Sequence, residues 1–205
     1  MSETDVVIID SGGANLASLR FALDRLGARS RISADPIVVA AAPRVILPGV
    51  GAAADAMERL RSADLVDCIR TLQQPLLGIC LGMQLLFAHS EEGDTIGLGL
   101  LAGRVRLIPT AAGRPVPHMG WNTCLQQRDD ALLAGIGAED YFYFVHSYAA
   151  PVAAYTSATA EYGAAMSAVV QRDNFHGVQF HPERSSSAGA RVLRNFLALR
   201  DSRCF

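Results

Sequence analysis

The stretch Leu76-Leu77-Gly78-Ile79-Cys80-Leu81-Gly82-Met83-Gln84-Leu85-Leu86 decides the fold. Pro75 opens a short, solidly apolar run, Leu76 to Ile79, which reads as a strand buried on both faces. Leu81, Leu85 and Leu86 then recur at helical spacing. A buried strand that passes straight into a helix is the repeating unit of an α/β protein. The same alternation occurs upstream. Val6-Val7-Ile8-Ile9 is a second solid run, ended by Asp10 and Gly12-Gly13. Leu16, Leu19, Phe21, Leu23 and Leu26 follow with the period of a helix that Gly27 closes. Ile37 to Leu47 holds a further apolar stretch that stops at Pro48-Gly49, and a helix is expected to follow through about Ile69. These units predict a mostly parallel sheet with helices on both faces.

The second half has a different texture. Val105–Ile108, Tyr141–Tyr148, Val152–Ala158, Ala168–Gln171 and Gly177–Phe180 read as strands with short connections, an antiparallel extension rich in hairpins. A last helix is expected over about Ala188–Leu199. No internal repeat or low-complexity linker interrupts the 205 residues, so residues 1–205 read as one domain.

Half the residues are hydrophobic and 19% are charged, enough apolar surface for a large core. The 18 basic residues are all Arg and, set against 20 acidic ones, leave a net charge of −2. That balance offers no footprint for nucleic acid or for an anionic membrane. The absence of Lys removes a P-loop lysine, a pyridoxal Schiff base and any lysine nucleophile. The acidic start MSETDVVIID lacks the basic region of a secretory signal, and no stretch reads as a membrane span, so a cytoplasmic protein is expected. Cys68, Cys80, Cys124 and Cys204 are irregularly spaced and read as free thiols.

Among them Cys80 stands apart. A nucleophile on a sharp strand-to-helix turn crowds the residues two before and two after it, and Gly78 and Gly82 occupy those offsets. The helix start favours a thiolate there, and the Leu81 N–H is directed toward a developing oxyanion. A small core cysteine is the plain alternative. Cys68 and Cys124 lack this context and read as packing residues, and Cys204 as a tail thiol. A cysteine nucleophile needs a histidine, and the histidine an orienting acceptor. His89 reads as a cation at the end of the Cys80 helix, and His118, His146 and His176 lie near expected strand ends. His181 precedes Pro182, which forces it into extended chain, where Glu183 shares its face. Cys80, His181 and Glu183 are therefore candidates for nucleophile, base and orienter, although an exposed His-Pro-Glu turn would look the same. No His pair has helical metal spacing and no Cys pair forms a zinc knuckle, so no metal is expected. Gly12-Gly13 lacks the remaining glycines of a dinucleotide fingerprint.

"GICLGMQLL" at Gly78–Leu86 and "GVQFHPE" at Gly177–Glu183 resemble the class I glutamine amidotransferases. "PGVG" at Pro48–Gly51, "PHMGWN" at Pro117–Asn122 and "YFVHSY" at Tyr143–Tyr148 are similar to one branch of that family, the glutaminase subunits of imidazole glycerol phosphate synthases. The resemblance runs from about Val6 to about Leu199. It implies a flavodoxin-like α/β domain that hydrolyses glutamine to glutamate and ammonia through a Cys80-His181-Glu183 triad and a glutamyl thioester, without a cofactor. It implies an oxyanion hole bordered by Gly49, Val50, Gly51 and Leu81, and a glutamine site formed by Gln84, Glu92, His146, Ser147 and Tyr148. It further implies a heterodimer with a (β/α)8 cyclase subunit, faced by Asn15, His118, Met119, Gly120, Trp121, Asn122 and Arg184, in histidine biosynthesis. The glutaminase of another amidotransferase, such as anthranilate or carbamoyl phosphate synthase, and a non-catalytic binding module on the same scaffold are the alternatives. Two departures are visible: Asp10-Ser11-Gly12-Gly13-Ala14-Asn15 lacks the Tyr and one Gly of the usual "DYGxGN", and Arg184 replaces the usual Lys.

Overall fold

The computed structural model describes residues 4–11 and 16–199. Gly12, Gly13, Ala14, Asn15 and Cys204, all named above, lie outside the described residues. The strands are β1 (Val6–Ile9), β2 (Ser30–Ser33), β3 (Val45–Leu47), β4 (Leu76–Ile79), β5 (Phe87–Ser90), β6 (Thr95–Ile96) and β7 (Leu101–Leu107). They continue with β8 (His118–Thr123), β9 (Leu125–Gln126), β10 (Tyr141–His146), β11 (Tyr148–Ala149), β12 (Thr156–Glu161), β13 (Ala165–Arg172) and β14 (Phe175–Val178). The helices are α1 (Leu16–Arg25), α2 (Pro36–Ala40), α3 (Ala53–Ser62), α4 (Leu65–Thr71), α5 (Leu81–Leu85) and α6 (Ser186–Ala198).

The central sheet has eight strands in the order β2-β1-β3-β4-β14-β13-β12-β9. From β2 to β14 every neighbouring pair is parallel; from β14 to β9 every pair is antiparallel. The solid apolar runs sit in the middle, where both faces are covered. Val6, Ile8, Ile46 and Leu77 point into a core that includes Leu19 and Leu23 of α1 and Val192, Leu193 and Phe196 of α6. Val7, Ile9, Val45, Leu47 and Leu76 point the other way, toward Met57 and Leu60 of α3 and Leu65 and Ile69 of α4. On that second side lies a four-stranded sheet, β11-β7-β5-β6. The ribbon of β8 and β10 lays Phe142 and Phe144 into the first core.

Several expectations change. The helix expected through Ile69 is two helices, because Asp64 adopts a left-handed backbone (φ 55°) between α3 and α4. Ile37 opens no strand: Pro36 at the first turn and the Asp35 side chain, accepting from Ile37 N at 2.9 Å, start α2 instead. The helix after Cys80 ends at Leu85, and Phe87–Ser90 pairs with β6 and β7. His89 is therefore a strand residue, 3.0 Å from Asp94, and not a helix-terminal cation.

Candidate active site

The parallel strands β3, β4 and β14 are neighbours, and the chemistry-bearing residues follow directly from their C-terminal ends. Cys80 follows β4 with φ 53° and ψ −111°, a conformation that costs a non-glycine residue about 1–3 kcal/mol. Close packing holds it. A Cβ on Gly78 would stand 2.7 Å from Gly82 O and Met83 N, and one on Gly82 would collide with the Leu47 backbone. A Cβ on Gly49 would stand 2.7 Å from Gly82 N. The two glycines of the elbow and the first of the Pro48–Gly51 loop are thus small for one reason: β3, its loop and α5 touch backbone to backbone.

His181 is extended (φ −98°, ψ 97°), as the following proline demands. Its Nδ1 lies 2.9 Å from Oε1 of Glu183, and both side chains are buried. Burial opposes the imidazolium, yet hydrogen bonds to Cys80 and Glu183 and the charge of both raise the His181 pKa to about 10. A clip fixes the ring's backbone. Ser185 Oγ donates to His181 O at 2.6 Å and accepts from Tyr143 N at 2.9 Å, while His181 N donates to Tyr143 O at 2.9 Å.

These residues line a cleft of about 510 Å³. Gly49, Val50, Gly51, Cys80, Leu81, Gln84, Glu92, His146, Ser147, Tyr148, His181 and Arg184 all border it, so residues spread over 136 positions of chain converge. Glu183 stands behind His181. Glu92 Oε2 accepts from Ala53 N at 2.9 Å, tying the cleft rim to the start of α3. Ser11, buried at the end of β1, donates its hydroxyl to Pro48 O at 3.1 Å and braces the loop opposite Cys80.

The expected partner-facing residues separate into two groups. Met119 and Trp121 on β8 are 63% and 53% exposed, and Arg184 lies over the Tyr143 ring beside them, 5.6 Å from its centroid. Gly120 lies between them, half-buried. His118 departs from the expectation. It is buried, stacked between Phe144 and Tyr162, with Nδ1 3.0 Å from His146 Nε2. Strand alternation explains this, since His118 occupies the face opposite to Met119. Asn122 is half-buried and donates to Glu161 O at 2.9 Å. Burial pushes the Cys124 thiol up to about 12, as suits a packing residue. No group of three or more His, Cys, Asp or Glu among the described residues is placed to hold a metal. No helix among them is long and apolar enough to cross a membrane.

Gln179 and Ser185 were not singled out in the sequence, although both lie in or beside the quoted "GVQFHPE". Gln179 is wholly buried next to the sulfur, and its only sequence signal is a polar residue inside an otherwise apolar strand end.

The family model for glutamine amidotransferase class-I matches residues 7–199. The chain is a class I glutamine amidotransferase. It is 58% identical over 196 residues to a protein of Xanthomonas axonopodis pv. citri (strain 306) named "Imidazole glycerol phosphate synthase subunit HisH", covering 96% of this chain and 98% of that one. The protein of the same name from Vibrio cholerae serotype O1 (strain ATCC 39315 / El Tor Inaba N16961) is 53% identical over 201 residues, covering 95% and 98%. Among solved structures, a glutamine amidotransferase superimposes with a TM-score of 0.73 at 20% identity, covering 94% of this chain and 96% of that chain. PurLQS from Thermotoga maritima does so with a TM-score of 0.70 at 16% identity, covering 96% and 98%. These two share the fold of this amidotransferase.

Proposed function

We propose that this chain is the glutamine-hydrolysing subunit of an imidazole glycerol phosphate synthase and that Cys80, His181 and Glu183 carry the reaction. The observation that carries the chemistry is a cysteine on a strained elbow that shares one cleft with a histidine whose Nδ1 is held by a buried glutamate. The branch of the family is supported by relatives at 53–58% identity over nearly the whole chain.

In this reading, the proton shared by Cys80 and His181 resides on the imidazole, and the sulfur attacks the side-chain carboxamide carbon of glutamine. The Leu81 N–H and the Pro48–Gly51 loop face the resulting oxyanion. His181 gives its proton to the nitrogen, the C–N bond breaks, and ammonia leaves behind a glutamyl thioester. Water, deprotonated by His181, attacks the thioester; the C–S bond breaks and glutamate departs. Glu183 holds the ring and offsets its positive charge. Gln84, Glu92, His146, Ser147 and Tyr148 receive the amino-acid end of glutamine. The ammonia passes to a (β/α)8 cyclase subunit that docks on Met119, Gly120, Trp121 and Arg184 and forms imidazole glycerol phosphate and an aminoimidazole carboxamide ribotide.

The test is Cys80→Ala in the assembled enzyme. Synthesis from glutamine should vanish while synthesis from added ammonia continues; glutamine-dependent turnover by that variant would overturn the assignment.

A further inference from the structure

The glutamine site contains a second buried amide to which the reaction above gives no role. Gln179 follows β14 directly, and its backbone N–H continues the sheet by donating to Ala168 O at 2.8 Å. Its side chain is wholly buried and spans the space between Gln84 and the nucleophile. A primary amide has two N–H donors and one carbonyl acceptor. The Gln179 Oε1 accepts from Gln84 Nε2 at 2.9 Å, and the Gln179 Nε2 lies 3.7 Å from Cys80 Sγ. The other N–H of Gln84 goes to Tyr148 O at 2.8 Å.

These contacts have two consequences. Both donors of Gln84 are consumed by Tyr148 O and Gln179 Oε1, so the atom Gln84 has left for a molecule in the cleft is a carbonyl oxygen. An acceptor there suits the ammonium of an amino acid and repels its carboxylate. The second consequence falls on the sulfur. A neutral donor aimed at Sγ stabilises the negative form of the nucleophile without competing with His181 for the proton. The opposite amide orientation would set Gln179 Nε2 against Gln84 Nε2 and its Oε1 against the sulfur, so the contact with Gln84 enforces the contact with Cys80.

The geometry points to Gln179 as a positioning residue with two outputs: it holds the Cys80 sulfur as an attacking group, and it fixes which end of the Gln84 amide meets the substrate. The inference rests on the reading of Cys80 as nucleophile, which Cys80→Ala tests separately.

The experiment compares Gln179→Met, Gln179→Glu and Gln84→Met in the full chain bound to its cyclase subunit. It reads glutamine KM and kcat, and the pH midpoint for alkylation of Cys80 by iodoacetamide. Gln179→Met has similar length but no donor or acceptor for either neighbour. It should raise the alkylation midpoint by about one pH unit, lower kcat about ten- to a hundredfold as expected for loss of a hydrogen bond to a charged group, and raise KM. Gln179→Glu keeps an acceptor for Gln84 and loses the donor to sulfur, so the midpoint should rise while KM stays near that of the parent. Gln84→Met should raise KM and move the midpoint by less than Gln179→Met does, since Gln179 keeps its donor and loses only the neighbour that orients it. An unchanged alkylation profile in folded Gln179→Met overturns the proposal, as does a KM increase in Gln179→Glu equal to that in Gln179→Met. A readout free of substitution at this position covers misfolded variants. The side-chain amide protons of Gln179, followed by NMR in the unsubstituted chain, should shift with the same pH midpoint as Cys80 alkylation. Amide protons indifferent to Cys80 titration overturn the proposal equally.

Discussion

His118 and His146 meet through their rings inside the protein, Nδ1 of the first 3.0 Å from Nε2 of the second. The order of protons along this contact is fixed by its ends. His146 Nδ1 faces Tyr148 O at 2.8 Å and must carry hydrogen, which makes its Nε2 an acceptor and His118 Nδ1 the donor. His118 Nε2 is then the acceptor that Asn122 Nδ2 approaches at 3.5 Å. Both rings are neutral in this arrangement. A directed chain thus runs from Asn122, in the strand that carries Trp121, to a carbonyl that also accepts from Gln84.

The cost of charging that chain predicts acid sensitivity. Burial, with smaller repulsion from His118 and His181, lowers the His146 pKa from 6.5 to about 4, although the Tyr148 carbonyl opposes the shift. The folded state therefore refuses a proton that the unfolded state accepts. The stabilising contribution is complete above pH 6.5 and is lost as the pH falls from there toward about 4. The loss should reach about 3 kcal/mol, since each pKa unit is worth about 1.36 kcal/mol. Urea unfolding at pH 7.5 and pH 4.5 measures it. His146→Leu should flatten this part of the profile, and an equal acid loss in that variant would assign the sensitivity elsewhere.

His181 and Glu183 should differ in weight. His181→Ala removes the group that moves the proton, a loss of about 100- to 10,000-fold in kcat. Glu183→Gln retains an oxygen for Nδ1 and should cost less; the reverse order would mean that the two roles are exchanged. The His181 pKa of about 10 sets a second expectation. The imidazolium persists through neutral pH, so glutamine hydrolysis should hold into the alkaline range and fall as the pH approaches 10. Single-turnover measurements across that range give the limb directly.

If the Pro48–Gly51 loop borders the oxyanion as proposed, it is also the expected control point. Gly51 is left-handed (φ 92°) and Gly49 has no side chain to oppose rotation of the peptide that joins it to Val50. With that peptide turned one way it presents a carbonyl to the oxyanion, and turned the other way an N–H. One donor is worth roughly 2.7–4 kcal/mol, or about 100- to 1000-fold in rate. Glutamine turnover should therefore rise by about 100-fold or more from the isolated chain to the complex with cyclase and nucleotide substrate. Full turnover by the isolated chain would exclude the gate.

Trp121, the single Trp, is half exposed on β8, so its emission would report docking on that strand. Its emission should shift to the blue on titration with the cyclase subunit. Trp121→Ala should weaken the complex by about 2 kcal/mol, roughly thirtyfold in Kd, if it anchors the interface. Isothermal titration of both proteins settles the comparison.

The central strands read correctly from sequence are those whose burial is symmetrical. Val6–Ile9, Val45–Leu47 and Leu76–Ile79 are apolar throughout because helices or sheets cover both faces. Ser30–Ser33 carries no apolar run because it is the edge strand, partly exposed and polar in sequence. Leu85-Leu86-Phe87 reads equally as helix or strand, and only the pairing of Phe87 with Leu101 decides it. At the site, Gly78, Cys80 and His181 carried a local signature of turn or proline. Gln179 and Ser185 carried neither, since each meets an atom contributed by a distant segment. His118 does not face outward with Met119, because a motif gives neighbours in sequence, whereas a strand sends successive side chains to opposite faces.

The adjacency of β3, β4 and β14 has a consequence for how the enzyme tolerates change. The Pro48–Gly51 loop, the sulfur and the imidazole each follow within three residues of the end of one of three hydrogen-bonded parallel strands, with Leu47 paired to Gly78 and Ile79 to Val178. Their spacing is inherited from the sheet, at about 4.8 Å per strand, with His181 held further by its clip to Tyr143 and Ser185. The long excursions from Gly51 to Pro75 and from Leu86 to Asn174 can therefore accept insertions at exposed tips without detuning the reaction. A slip of one residue in strand register would disassemble it, sending each side chain to the opposite face. The reacting centre is in that sense a ruler marked on the core: its precision is as heritable as the packing beneath it, and its surroundings are free to diverge toward new partners.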